Sequence, residues 1–102
     1  MTKKFWIFNA GKHVELRETI AGFPQKARHS RGVRDSARGP NAVKILVASI
    51  LKVSRRLSDS MEVSFKPPPQ LEEERPNFYS QLTLAQEQQA REALGPGWVS
   101  SE

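Results

Sequence analysis

The chain has 102 residues, enough for one small domain, with a net charge of +5, 37% apolar residues and 8% aromatics. A domain of this size buries roughly two-thirds of its unfolded surface, so the core is expected to be real but small. The absence of cysteine excludes disulfide staples, thiolate metal sites and thiol catalysis, and no run approaches the roughly 18 apolar residues of a membrane span.

In chain order, residues 3–9, KKFWIFN, read as a first strand. Phe5 and Ile7 fall on one face, Trp6 and Phe8 on the other, and apolar residues on both faces predict an interior strand or one covered by a partner. Residues 12–21 suit a helix, because Leu16 and Ile20 are four apart and Phe23 continues the stripe. Gly22 and Pro24 interrupt it. If helical character resumes beyond them, Arg28, Arg31, Arg34 and Arg38 form one charged stripe, which Gly39-Pro40 ends.

Residues 42–53, AVKILVASILKV, fit two patterns. As a helix, Val43, Leu46, Val47, Ile50 and Leu51 make one apolar face, with Lys44, Ala48, Lys52 and Arg55 opposite. As a strand, the run is rich in Val and Ile and bounded by turn residues. Residues 60–66 alternate, with Met61, Val63 and Phe65 inward and Glu62, Ser64 and Lys66 outward. A lone amphipathic strand needs a partner, so residues 42–53 are expected to pair with it as a hairpin.

Pro67-Pro68-Pro69 is expected to lead away as a stiff extended segment, followed by a solvated linker over residues 72–76. Thr83 opens a helix with a capping box to Gln86. Its weak apolar face comprises Leu84, Ala90, Ala93 and Leu94, and Gly95-Pro96-Gly97 stops it. These features divide the chain into a basic body, residues 1–66, and a second segment, residues 67–102, with a Pro-rich linker, a helix and an acidic tail.

Nothing here predicts an enzyme. The two histidines, His13 and His29, lack partners at ligand spacing, the carboxylates lie in runs or loops, and the glycines form no phosphate cradle. No catalytic residue, metal or cofactor is therefore assigned. The charge distribution is more informative: residues 1–66 hold 14 Lys and Arg against 5 Asp and Glu, and residues 67–102 hold 2 against 6. Lys26, Arg28, Arg31, Arg34 and Arg38 form one basic group, and Lys52, Arg55 and Arg56 another. The guanidinium fork matches phosphate oxygens. With no aromatic among these residues, the expected contact is with RNA backbone and not with bases. Trp6 and Trp98 are the candidate anchors for a protein partner.

Several short stretches, IFNAGKHVELRETI, KARHSRGVRDSARGPN, VKILVAS, KVSRR and MEVSF, follow one another in an order that resembles the small thioredoxin-like proteins of the mitochondrial large ribosomal subunit, the family numbered fifty-three. Phe8-Asn9-Ala10 is similar to the family's turn after its first strand. VELRE, residues 14–18, is similar to the opening of its first helix. Lys52, Arg55 and Arg56 are similar to its basic hairpin. Pro67-Pro68-Pro69 stands where the family has a glycine turn. The resemblance implies an α/β (α+β) thioredoxin-like domain, with a three- to four-stranded mixed sheet, two helices and an extended C-terminal segment. It also implies a non-catalytic constituent of the mitochondrial ribosome, in the matrix, with ribosomal RNA and neighbouring ribosomal proteins as partners and no small-molecule substrate. Gly32-Val33-Arg34-Asp35 is similar to a stretch of the thioredoxin-like accessory subunit of respiratory complex I, which makes a respiratory-complex adaptor the alternative.

Overall fold

The computed structural model describes residues 2–21, 33–56, 61–95 and 99–100. Its first strand, β1 (Thr2–Ala10), turns at Gly11-Lys12 into β2 (His13–Ala21), and the two pair antiparallel from Thr2↔Ala21 to Ala10↔His13. The helix expected over residues 12–21 is therefore a strand. Gly11 has φ +81°. A positive φ at the first position of a two-residue loop follows the pattern of a type II′ hairpin turn, for which glycine is the default. The i, i+4 spacing of Leu16 and Ile20 fits a helix, but the same residues also alternate strictly with His13, Glu15, Arg17 and Thr19. A β1 that is apolar on both faces needs a paired neighbour, and that need selects the strand.

A short β3 (Asp35–Ala37) pairs antiparallel with β2 at Leu16, Glu15 and Val14. The chain then enters α1 (Ala42–Arg56), the Asn41 carbonyl accepting from the Ile45 amide at 3.0 Å. Residues 42–53 are thus helix and not strand, and the expected hairpin with residues 60–66 does not form. Instead β4 (Met61–Ser64) pairs parallel with β1, from Lys3↔Met61 to Trp6↔Ser64. Parallel neighbours need a crossover of a dozen or more residues, usually helical, and α1 supplies it. Its apolar residues Val43, Leu46, Val47 and Ile50, all buried, follow the i, i+3, i+4, i+7 spacing that faces a sheet.

The proline run does not lead away. Pro67 and Pro68 are buried, and Pro69 takes the first position of α2 (Pro69–Glu74), where its fixed φ is pre-set and its missing N–H leaves no partner wanting. The expected linker is this helix followed by a turn closed by Phe78 N–H to the Arg75 carbonyl, 3.2 Å, with Asn77 at φ 70°. β5 (Tyr79–Ser80) then pairs antiparallel with Asn9 and Ala10 of β1. The expected capping box is present at α3 (Leu84–Leu94): Thr83 Oγ1 accepts from the Gln86 amide, and Gln86 Oε1 accepts from the Thr83 amide. Gly95, at φ +80°, is the C-cap. Finally β6 (Val99–Ser100) pairs parallel with β4.

The result is a mixed α+β domain, the class expected. Its sheet runs β3-β2-β1-β4-β6, with β5 attached to β1 beyond the end of β4. The described residues hold more strands than the three or four anticipated, a third helix, and a hairpin opening where the thioredoxin-like resemblance implies strand–helix–strand. One sheet face carries Phe5, Ile7, Val14, Leu16 and Val63 beneath α1 and α3, with Phe65, Leu82, Ala90 and Leu94. The opposite face carries Trp6, Phe8 and Ala10 against Leu71 of α2 and Tyr79. Because that second face is covered too, Ser64 is buried and not outward. β5, α3 and β6, all beyond Pro67, are built into the same sheet and core as β1.

Leu46 is fully buried, whereas Leu84, at the first position of α3, is 71% exposed and not part of the apolar face expected for it. Leu46→Ala is expected to cost about 2–5 kcal/mol in urea denaturation. Leu84→Ala is expected to stay within about 0.5 kcal/mol of the parent.

Candidate nucleic-acid interface

Burying Val43, Leu46, Val47 and Ile50 turns the other side of α1 to solvent. Asn41, Lys44, Ile45, Ala48 and Lys52 are exposed there. No acidic residue occurs between Ala42 and Arg56, and Arg55 and Arg56 are the last two residues of the helix. Lys44, Ala48 and Lys52 stand at i, i+4 and i+8, one line along the helix. Eight residues at 1.5 Å each place the two lysine positions about 12 Å apart. Arg38, also exposed, precedes the helix by four residues. Arg38, Lys44 and Lys52 form no ion pair among the described residues.

The expected site residues are distributed unevenly over this arrangement. Lys26, Arg28, Arg31 and Trp98 lie outside the described residues, and Arg55 and Arg56 are described in backbone only. Lys52 and Arg38 are exposed as expected. Arg34 is exposed but already engaged: its Nη1 donates to Glu18 Oε1 at 2.6 Å, and Lys3 Nζ lies 3.5 Å from the other carboxylate oxygen. Arg34 also does not share a helical stripe with Arg38, since β3 intervenes. Trp6 is no interface anchor. It is 8% exposed, packed with Phe8, Ala10 and Leu71, with the Lys4 ammonium 5.4 Å from its ring centroid. Lys44 is the residue the site expectation omitted. Its signal was the i, i+8 spacing to Lys52: a strand would also set the two on one face but about 26 Å apart, and the helix brings them to about 12 Å.

Two other polar groupings are structural. On the α2 side of the sheet, the Glu15 carboxylate is 7% exposed and held between Arg17 Nε at 3.1 Å and His13 Nε2 at 3.0 Å. Those three residues alternate on β2, so their side chains share one face. At the end of β1, Asn9 and Gln86 exchange amide hydrogen bonds of 2.9 and 3.1 Å, and Asn9 also donates to the Gln81 carbonyl. Among the described residues, no three His, Asp or Glu gather as metal ligands, and no helix is long and apolar enough to cross a membrane. No family model, curated protein or solved structure matches the chain.

The two arginine pairs differ in burial, and their contributions should differ accordingly. Arg17→Ala leaves the buried Glu15 carboxylate with His13 as its one remaining side-chain partner among the described residues and is expected to destabilise by about 3–5 kcal/mol. Arg34→Ala removes a partly exposed pair and is expected to cost at most about 1 kcal/mol. Paired thermal and urea melts measure both.

Proposed function

We propose that this chain is a non-catalytic, RNA-docking constituent of a ribonucleoprotein particle, contacting backbone phosphates through Lys44 and Lys52 of α1 and through Arg38. The observation that carries the reading is the acid-free outer face of α1, on which no carboxylate of the helix competes with a phosphate. Lysine ammoniums in this setting act as point charges, and they position a protein on nucleic acid without reading sequence.

The end of the sheet supports the non-catalytic part of the reading. In open α/β sheets, ligands sit beyond the carboxyl ends of the strands, where the strand order reverses. Here that position beside β1 is filled by β5, paired on Asn9 and Ala10, and by the Leu82 amide, which donates to the Phe65 carbonyl at 2.9 Å. The Asn9 amide is spent on Gln86. The mitochondrial large ribosomal subunit, in the matrix, is the particle that the sequence resemblance points to. Since β2 replaces that family's first helix, this finer assignment is supported by the basic segments and not by the fold.

The test is the salt dependence of RNA binding by the full chain. Replacing Lys44 and Lys52 by Gln is expected to reduce the slope of log affinity against log salt by roughly one per lysine. An unchanged slope would sink the reading. Sedimentation of a native lysate tests the particle: migration with a large complex that ribonuclease destroys is the expected result.

A further inference from the structure

We propose that the outer face of α1 is a site for double-stranded RNA, held by its backbone phosphates, and not for single strands. The inference deepens the RNA-docking reading and rests on it. Single-strand sites combine basic residues with aromatic platforms on which bases stack. The exposed positions of α1, Lys44, Ile45, Ala48 and Lys52, include none. The aromatics among the described residues are committed elsewhere: Phe5, Trp6, Phe8 and Phe65 are buried. Phe78 lies beneath the Arg75 guanidinium at 4.2 Å, and Tyr79 packs against Phe8 on the opposite sheet face. A single strand laid on α1 would have to be ordered without stacking to offset the lost freedom.

A duplex brings its phosphates already ordered. The face it would meet is equally fixed, because Val43, Leu46, Val47 and Ile50 lock α1 onto the sheet. Two rigid charge patterns meet with little ordering cost on either side. Between Lys44 and Lys52 stands Ala48, exposed and ending in a methyl group, so the helix backbone can come close to the RNA surface while the lysines reach phosphates on either side. Double-stranded RNA is recognised in this manner, by shape and backbone, because its deep major groove does not admit side chains.

Fluorescence anisotropy of the full chain tests this, using an RNA duplex of about 20 base pairs and an unstructured oligouridine of about equal length at one salt concentration. The duplex is expected to bind about tenfold tighter or more. The double variant Lys44→Gln with Lys52→Gln should lose that preference, while Lys66→Gln, an exposed lysine outside α1, should keep it. Circular dichroism confirms that each variant is folded, as substitutions at exposed positions should be. Equal affinity for duplex and single strand, with both weakened by the α1 variant, would overturn the duplex proposal and leave RNA docking standing. Tighter binding of the single strand would have the same consequence. Binding that ignores the α1 substitutions, or binding of phosphatidylserine vesicles without binding of the duplex, would overturn both.

Discussion

Every element of this domain is arranged around the burial of β1 on both faces at once. Phe5 and Ile7 point one way and Trp6 and Phe8 the other, and all four are buried. A strand of this kind cannot sit at the edge of a sheet or on a half-solvated one. It has to be paired along both edges, which β2 and β4 do, and covered by a layer on each side. The layer over Phe5 and Ile7 is α1 with α3, and α2 supplies Leu71 over Trp6 and Phe8. A chain of 102 residues has little to spare for such coverage. This accounts for the use of a six-residue helix, α2, and a two-residue strand, β5, to finish the second face.

Two-sided burial has a second consequence, for polar groups. β2 shares both faces with β1, and its alternate residues on the α2 side are His13, Glu15 and Arg17. A carboxylate buried alone is costly, and here the neighbours on either side along the strand, at i−2 and i+2, supply its partners. The hydrogen bonds of Asn9 act similarly at the end of the strand. Its amide pairs with Gln86, the same side chain that closes the capping box of α3. The start of α3 is thereby fixed to the end of β1 by side chains that also satisfy the helix's orphan donors.

What could be read from the sequence, and what could not, follows from the range of each signal. The capping box of Thr83 and Gln86 is local, lying within four residues, and it was legible outright. The two-faced pattern of β1 and the alternation around Val63 were legible for the same reason. Residues 12–21 and 42–53 carry patterns that satisfy both periods. Leu16 and Ile20 are compatible with i, i+4 and with alternation, and the Val and Ile of residues 43–50 suit either state. What decides them is remote. β2 is a strand because β1 needs an antiparallel neighbour, and α1 is a helix because β4 pairs parallel and needs a crossover. Reversing those two elements also hid part of the candidate site. Lys52 was visible as a basic residue, but Lys44 comes within about 12 Å of it only when the run is a helix. Arg34 looked free because its partner, Glu18, lies sixteen residues away on β2.

The folded arrangement also gives meaning to the charge asymmetry of the chain. An acidic second segment could simply neutralise a basic first one, and for the glutamates of α2 the topology argues against that. Glu72, Glu73 and Glu74 are exposed on α2, whose Leu71 packs on the Trp6 face of the sheet. The lysines of α1 stand over the Phe5 face. With the sheet between them, these two sets cannot pair. The acids of the second segment are nevertheless divided, because Glu87 and Glu92 belong to α3, which packs beside α1 over the same sheet face, and Arg75 stands at the end of α2. The asymmetry along the sequence is therefore not an asymmetry between the two faces of the sheet. What distinguishes α1 is local: no carboxylate lies between Ala42 and Arg56, so Lys44 and Lys52 have no acidic neighbour at i±3 or i±4 within their own helix.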